Sequence, residues 1–282
     1  GGTNSGQRFS SLDQINAGNV KKLSVAWEYH TGDLRDAAKD AGEYTFEATP
    51  LKVNNRVYFC TAHNEVHALN PETGTLDWKW APEKNRSYLQ QHQTCRGVSY
   101  YAPAATAAAD SSPSQCTKRI ITATADARLV ALDADTGTLC SDFGNNGVVD
   151  LSANMGEIRP HALMQTAAPL IAGDLVIVGG SVMDNGYNDG NPSGVIRAYN
   201  AVTGKLVWNF DPANPEMTQP IAADQNYPQD TPVAWGTLSA DMKNGLVFVP
   251  FGNASPDELG INRDPNSNTE KFRDTLVALD LN

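Results

Sequence analysis

The sequence predicts an all-β fold made of repeated antiparallel sheets, and three observations carry this prediction. One phrase recurs along the 282 residues, short runs rich in β-branched and aromatic residues lie between its copies, and helical periodicity is weak. The first full copy is VHALNPETGTLDWKW, from Val66 to Trp80, where an alternating run stops at Pro-Glu-Thr-Gly and then restarts. Because Gly74 can supply the positive φ of a turn, the phrase predicts a β-hairpin.

Three further copies of the phrase follow. They read LVALDADTGTLCSDF from Leu129, IRAYNAVTGKLVWNF from Ile196 and LVALDLN from Leu276. The alanine before each turn recurs at intervals of 63, 67 and 80 residues (Ala68, Ala131, Ala198, Ala278). Simple propeller repeats are roughly 40 to 50 residues long, so each repeat here must contain insertions.

A pair of β runs around a short turn also accompanies each of the four copies of the phrase. The pairs are TPLKVNNRVYFCTA, RIITATADARLVALD, APLIAGDLVIVGG and GTLSADMKNGLVFVPFG. Together with the recurring hairpins they predict four-stranded meanders, and repeated meanders of this kind predict a β-propeller. Trp78 and Trp208 each follow a Thr-Gly pair by four residues, so we expect both on outer strands that pack between sheets. We expect Trp27 on a terminal strand that completes a sheet begun at the other end of the chain.

One segment has the pattern of a short helix. In SSLDQINAGNVKKL, Ser11 or Asp13 can act as the N-cap. Its predicted apolar side consists of Leu12, Ile15, Val20 and Leu23.

The composition is that of an ordinary globular protein, with 40% hydrophobic and 19% charged residues. Its formal net charge of −11 argues against nucleic acid as a partner. The sequence has no run of eighteen apolar residues and does not begin with a signal peptide, so we expect a soluble chain with any membrane anchor lying outside it.

The four cysteines, Cys60, Cys95, Cys116 and Cys140, lack the paired Cys-x-x-Cys spacing of a zinc site. Cys95 and Cys116 flank one polar insertion. Two alternatives follow from this placement: a Cys95–Cys116 disulfide, as in an oxidising compartment, or four buried thiols.

Several ordered motifs resemble the quinoprotein dehydrogenases that use pyrroloquinoline quinone (PQQ), and in particular their membrane-bound glucose/quinate/shikimate branch. The motifs span nearly the whole chain: GQRFSSLDQINAGNVKKLSVAWEYHTGD, FEATPLKV, CTAHNEVHALNPETG, TCRGVSYY, DARLVALDADTGTLC, SGVIRAYNAVTGKLVWNFDP and GLVFVPFGNASPDELG. The soluble alcohol-oxidising branch has adjacent cysteines, whereas here only Cys95 precedes Arg96, which favours the membrane-bound branch.

The resemblance implies an eight-bladed propeller of which residues 1–282 form about half of the ring, as about three full blades and parts of two others. The remaining blades and the membrane anchor are expected to be absent from this chain. It also implies PQQ and a divalent cation, calcium or magnesium, in the central funnel. The reaction implied is oxidation of a cyclic polyhydroxy substrate, either a glucose-type aldose or quinate/shikimate, with electrons passing to ubiquinone at the periplasmic face of the bacterial inner membrane.

The resemblance also assigns roles to individual residues. The residues matching cofactor-binding positions are Glu47, Arg96, Thr166, Ser181 and Trp235. Asp184 and Asn253 match metal ligands, with Asn185 as a neighbour, and His63 matches a residue near the substrate mouth. Oxygen donors suit a hard cation, and a permanently charged guanidinium suits reduced quinone oxygens. The family's catalytic aspartate lies in a His-His-Asp-Leu-Trp-Asp phrase that this sequence lacks, so no general base is assigned.

A second class of function remains open on the repeats alone. Non-catalytic propeller scaffolds of outer-membrane assembly share the Thr-Gly turn and the tryptophans between blades but hold no cofactor. The ordered cofactor motifs favour the enzyme.

Overall fold

A computed structural model of the chain describes residues 11–38, 40, 43–83, 92–103, 115–182, 189–257, 260–261 and 263–281. Within these ranges the helical elements are a 3-10 helix at Val20–Lys22 and one α-helix, α1, at Asn268–Phe272. The strands are β1 (Glu43–Tyr44), β2 (Leu51–Val53), β3 (Arg56–Cys60), β4 (Val66–Leu69), β5 (Leu76–Trp80), β6 (His92–Gln93), β7 (Ser99–Tyr101), β8 (Arg119–Ala123), β9 (Arg128–Asp133), β10 (Val148–Asp150), β11 (Leu163–Met164), β12 (Leu170–Ala172), β13 (Leu175–Val178), β14 (Ser181–Val182), β15 (Ile196–Asn200), β16 (Leu206–Phe210), β17 (Ser239–Asp241), β18 (Leu246–Pro250) and β19 (Leu276–Asp280).

Most of these strands belong to antiparallel meanders. Three sheets have four strands each, in the orders β2-β3-β4-β5, β7-β8-β9-β10 and β12-β13-β15-β16. A fourth sheet has the order β17-β18-β19 within the described part of the chain. Two short ladders, β1 with β6 and β11 with β14, lie outside the meanders. The all-β fold of four-stranded antiparallel units predicted from the repeats is confirmed.

The sheets pack face to face, with a hydrophobic core between each adjacent pair. Tyr58, Ala68 and Ile120 belong to the core between the first and second sheets. Two further cores join the second sheet to the third and the third to the fourth. Every residue of β4 is buried, because Val66 and Ala68 face the core with the second sheet while Tyr29 of the N-terminal segment contacts His67. The first strands of neighbouring sheets, β7, β12 and β17, lie beside one another, as in a propeller.

Trp78 packs between sheets, as predicted. It lies on β5, the outer strand of the first sheet, and its indole nitrogen donates to the Ala134 carbonyl of the second sheet at 3.1 Å. Its ring fills the space beside Gly137, where a Cβ would lie 2.5 Å from the ring. Trp208 occupies the outer strand β16 and packs against the core shared with the fourth sheet, and its buried indole nitrogen has no hydrogen-bond partner within the described residues.

Trp27 makes the same kind of contact without lying on a strand. Its indole nitrogen donates to the Pro71 carbonyl at 3.1 Å, and its ring covers Gly74 at the first recurring turn. The prediction of a strand at Trp27 is wrong for residues 11–38 as the structure describes them, because no neighbouring strand lies beside this segment to complete a ladder.

The predicted helix at SSLDQINAGNVKKL is also wrong. Only the three residues Val20–Lys22 are helical, and the predicted apolar side is exposed. Asn16 and Asn19 explain the difference, because their side chains bond to backbone groups of the same segment: Asn16 Nδ2 donates to the Asp13 carbonyl and Asn19 Nδ2 to the Gln14 carbonyl. Such local bonds compete with the helical pattern.

The cysteines form two disulfides, neither of which was predicted. Cys60 pairs with Cys95, and Cys116 pairs with Cys140. The predicted Cys95–Cys116 bond and the alternative of four thiols are therefore both wrong. The Cα separations of 5.9 Å and 5.6 Å arise because β3 ends beside the segment after β6, and because Cys116 and Cys140 belong to the same sheet region.

Neither helix in the described ranges has the length and apolarity needed to cross a bilayer.

Candidate functional site

Four of the predicted cofactor residues occupy the same place in four successive sheets. Glu47 precedes β2 by four residues, Arg96 precedes β7 by three, and Thr166 and Trp235 each precede the first strand of their sheet by four. Because β7, β12 and β17 lie beside one another and the Thr49 amide bonds to Arg96, the entry segments of all four sheets lie next to each other along one edge of the sheets.

Hydrogen bonds join these entry segments in series. The Thr49 amide donates to the Arg96 carbonyl at 3.0 Å, and the Arg96 amide donates to the Thr166 carbonyl at 2.9 Å. The Thr166 hydroxyl then donates to the Trp235 carbonyl at 3.4 Å. The spacing between the predicted cofactor residues is therefore set by direct contacts between neighbouring sheets.

The side chains of Glu47, Arg96 and Trp235 converge. Arg96 Nε lies 3.0 Å from Glu47 Oε2, and its guanidinium carbon lies 5.5 Å from the centre of the Trp235 ring. The Thr45 hydroxyl donates to the other carboxylate oxygen of Glu47 at 2.9 Å. An arginine held this way by a carboxylate and an aromatic face has a defined orientation.

Two features of the cluster fit a flat anionic ligand. Arg96 Nη1 is buried and has no hydrogen-bond partner among the described residues, although an unpaired buried donor costs free energy. Trp235 is 51% exposed despite its size, so part of its aromatic surface is open for stacking. The geometry therefore fits the predicted quinone, which offers both a planar ring system and oxygen acceptors.

The surface beside Trp235 depends on a close approach between backbones. Gly179 lies so near the Ala234 carbonyl that a Cβ there would be 2.3 Å from the oxygen, so only glycine fits. Gln165 Nε2 donates to the Gly179 carbonyl at 3.2 Å. Together with Thr166 these residues line a shallow crevice next to the tryptophan.

Of the remaining residues predicted to bind the cofactor or the metal, the structure describes some and not others. The backbone of Ser181 pairs with Met164, two residues before Thr166. Asp184 and Asn185 lie outside the described residues. Asn253 follows Gly252, where a Cβ would lie 3.4 Å from the indole nitrogen of Trp235.

The amide oxygen of Asn253 is already in use. It accepts from Arg263 Nη1 at 2.9 Å and from the Ala254 amide at 3.2 Å. Because the Arg263 guanidinium occupies this acceptor, a metal cation and Arg263 compete for the amide oxygen of Asn253. The one group of three possible ligands in the described ranges is Cys116, Cys140 and Asp142, and both of these cysteines are in a disulfide.

His63 lies between two buried carboxylates. Its Nδ1 bonds to Asp33, and its Nε2 lies 2.9 Å from Asp40 Oδ1. The Tyr44 hydroxyl lies 3.3 Å from His63 Nδ1. The hydrogen bond to Asp33 outweighs burial and, with Asp40, raises the pKa of His63 above its ordinary value. Both ring nitrogens are therefore engaged, and contact with a substrate stays a prediction.

Two features of the site were missed by sequence reasoning. The Cys60–Cys95 disulfide fastens the residue next to Arg96 to the first sheet, and Asp33 and Asp40 surround His63. The position of Cys95 directly before Arg96 is a sequence signal for the first feature. The two aspartates lie about 20 to 30 residues from His63 in the sequence, and no motif connects them to it.

Comparison with known proteins places this geometry in context. The family profile described as "PQQ: Glucose/ethanol/alcohol dehydrogenase, beta-propeller domain" matches residues 1–282. Quinoprotein glucose dehydrogenase of Escherichia coli (strain K12) is 39% identical over 274 residues, covering 97% of this chain and 34% of that protein. Quinate/shikimate dehydrogenase (quinone) of Acinetobacter baylyi is 39% identical over 287 residues, covering 98% and 34%. The chain thus spans about a third of the length of these relatives.

Solved structures show a likeness of fold. A quinohemoprotein alcohol dehydrogenase from Pseudomonas putida HK5 has a TM-score of 0.65 at 24% identity, covering 98% of this chain and 37% of that chain. A europium-containing methanol dehydrogenase has a TM-score of 0.58 at 25% identity, covering 87% and 40%.

Proposed function

Because the chain belongs to the family of PQQ glucose/ethanol/alcohol dehydrogenase β-propeller domains, we propose that it forms part of the cofactor-binding propeller of a quinone-dependent dehydrogenase. The proposed protein is longer than this chain, since its relatives are about three times as long. Residues 1–282 would supply about three full blades and parts of two others.

One observation supports the proposal: Arg96 Nη1 is buried without a partner in the described part of the chain, and the arginine lies between the Glu47 carboxylate and the exposed ring of Trp235. Arg96 donates to oxygens of the quinone and Trp235 carries its flat ring. The Thr166 hydroxyl has one proton, so it holds a cofactor carboxylate by turning from the Trp235 carbonyl. Ser181 is a further cofactor contact, and Glu47 borders the quinone while keeping Arg96 oriented. When bound, PQQ supplies the oxidant for a CH–OH group.

A divalent cation, calcium or magnesium, belongs to the same proposal, with Asp184 and Asn253 as ligands. The carboxylate oxygens of Asp184 and the amide oxygen of Asn253 are the type of ligand that calcium and magnesium bind. Binding through Asn253 requires that Arg263 release the amide oxygen, because the two cations compete for one acceptor.

We further propose that the substrate is a cyclic polyhydroxy compound, either a glucose-type aldose or quinate/shikimate, and that His63 lies near its entrance. Relatives of both kinds are 39% identical to this chain, so identity does not separate them. Electrons leave toward ubiquinone at the periplasmic face of the inner membrane. Two disulfides support an oxidising compartment such as the periplasm.

The test is a calorimetric titration of PQQ, with calcium or with magnesium, into the complete protein that carries this chain and into the chain alone. Binding to the complete protein that weakens in the Trp235→Ala variant supports the proposal. A matched control is Trp208→Ala, because Trp208 lies on an outer strand away from the cluster. If the complete protein binds no PQQ under either condition, the non-catalytic scaffold becomes the better description.

A further inference from the structure

We propose that His63 is a positioning residue: clamped between Asp33 and Asp40, it fixes strand β1 and thereby aligns Glu47 with Arg96. The part of this inference that concerns cofactor binding rests on the proposed function. The other part, that the clamp keeps the segment from β1 to β2 ordered, depends only on contacts within this chain.

The clamp is nearly sealed from solvent. The side chains of His63, Asp33 and Asp40 are 8%, 3% and 5% exposed. Asp33 Oδ2 also accepts from the His63 amide at 3.1 Å, and Arg35 donates to the Asp40 main-chain carbonyl at 3.4 Å. An imidazolium is the form of histidine that donates from both ring nitrogens, so this environment favours the charged ring.

Within the described ranges, two further elements place side chains beside the clamp. From β1, Tyr44 packs its ring on His63 at 4.9 Å between centres. From the other side, Glu65 is paired with His67 Nε2 and with Lys79 Nζ, each at 3.2 Å. Burial lowers the pKa of His67, so this second histidine loses its proton at a lower pH than His63 does. Asp33 and Asp40 are therefore the carboxylates that set the charge of His63.

Tyr44 connects the clamp to the cofactor cluster. Its hydroxyl donates to the Asp33 carbonyl at 3.1 Å, and its backbone pairs with Gln93 in the β1–β6 ladder. The next residue, Thr45, donates its amide to the Gln93 carbonyl and its hydroxyl to Glu47. The path from His63 to Glu47 thus runs through packed and hydrogen-bonded groups.

Strand β6 completes the alignment from the side of Arg96. Gln93 Nε2 donates to the carbonyl of Ala62, the residue before His63, at 3.2 Å. Three residues after Gln93 comes Arg96, whose carbonyl accepts from the Thr49 amide. The loop that carries His63 is therefore bonded to both halves of the β1–β6 ladder, one leading to Glu47 and the other to Arg96.

This role differs from direct contact with substrate. With Nδ1 on Asp33 and Nε2 on Asp40, His63 offers no ring nitrogen to a hydroxyl or a carboxylate. A substitution at His63 should therefore change cofactor affinity and the order of the β1 segment together.

The test measures hydrogen exchange of the Thr45 and Thr49 amides in the cofactor-free complete protein, for the wild type, His63→Gln and His30→Gln. His30 is an exposed histidine of the same N-terminal segment and serves as the matched control. Glutamine cannot hold both carboxylates, so protection of the two amides in His63→Gln should fall about tenfold, and PQQ affinity should fall by a similar factor. The control should match the wild type in both measurements.

The pH profile separates positioning from a general loss of stability. In the wild type, protection of Thr45 and Thr49 should fall as the pH rises through the raised pKa of His63, because the neutral ring loses one donor. In Asp33→Asn the same loss should occur at lower pH, since one of the carboxylates that stabilise the charged ring is gone.

Unchanged protection in His63→Gln, or a pH profile that Asp33→Asn does not shift, overturns the proposal. If His63→Gln fails to fold, the pH profiles of amide protection in the wild type and in Asp33→Asn test the proposal instead. If the wild type binds no PQQ, the proposed function fails, whereas the amide protection still tests the clamp by itself.

Discussion

Arg96 shows how a single side chain depends on its neighbours. Its guanidinium contacts the Glu47 carboxylate and the Trp235 ring, and its buried Nη1 has no partner that the structure describes. The planar fork of arginine can satisfy all of these directions together, whereas the point charge of lysine cannot.

The Arg96→Lys variant should therefore bind PQQ about tenfold more weakly or worse, because it loses charge-assisted bonds and the stacked geometry. Fluorescence titration of the cofactor-free complete protein measures the change. Arg273→Lys is the control, since Arg273 is 40% exposed and pairs with Glu270 at the surface. Equal affinity in the two variants would mean that Arg96 does not contact the cofactor.

At this scale the sequence predicted some of the cluster and not the rest. Resemblance to a family identified Glu47, Arg96, Thr166 and Trp235, and the structure brings them together. It did not identify Asp33, because the partnership with His63 arises only when the N-terminal segment folds over the end of β3. Contacts between residues distant in sequence leave no local pattern for a motif to detect.

Among the elements, a recurring turn packs against a tryptophan that lies about one repeat earlier in the chain. The glycine of the turn has positive φ and leaves room for the indole of the preceding repeat, as Gly137 does for Trp78 and Gly74 for Trp27. The phrase predicted that Trp78 packs between sheets, but not which glycine its ring covers, because Trp78 and Gly137 lie in different copies of the phrase. Trp27 could lie on a strand only if another strand were beside it to form a ladder, and the sequence of one segment does not show whether such a neighbour is present.

The Gly137→Ala variant should lose about 1 to 3 kcal/mol of folding free energy, because the new Cβ would lie 2.5 Å from the Trp78 ring at φ +73. Denaturant unfolding measures the loss. Gly190→Ala is the matched control: its φ is +78, but no atom of the described residues lies within 4 Å of the new Cβ. An equal loss in both variants would assign the whole effect to backbone strain and none to the tryptophan contact.

The two disulfides differ in what they hold. Removing Cys60–Cys95 as a double serine variant should lower both stability and PQQ affinity, because this bond fastens the residue beside Arg96. Removing Cys116–Cys140 should lower stability alone. With sequence separations of 35 and 24 residues, each loss should be about 3 to 4 kcal/mol.

Thermal unfolding and PQQ titration of both double variants separate these effects. Matching affinities in the two variants would contradict a special role for the bond next to Arg96. The pairing itself could not be predicted from the sequence, since four cysteines allow three connectivities and spacing does not choose among them.

Across the whole molecule, the sheets are covered unevenly. In the described ranges β19 pairs with β18 alone, and Leu276 on this strand is 71% exposed. The N-terminal segment also exposes Leu12, Ile15 and Val25. An apolar strand that is paired on one side invites pairing with another chain.

The 282-residue chain studied alone should therefore associate in a concentration-dependent manner, and Leu276→Lys should weaken that association several-fold. Sedimentation velocity over a range of concentrations measures it. Met242→Lys adds the same charge at an exposed residue next to the β17–β18 turn and should leave association unchanged. If the wild-type chain remains monomeric at every concentration, the prediction that it associates through β19 is wrong.

The series of bonds from Thr49 through Arg96 and Thr166 to Trp235 has a thermodynamic consequence. Each sheet has cores only with its neighbours, so separate sheets can open as separate units. A ligand that grips the entry segments of all four sheets binds only when none of them has opened. Opening any one sheet then costs the binding free energy of the ligand. Sheets that unfold one after another without the ligand should therefore unfold together when it is bound.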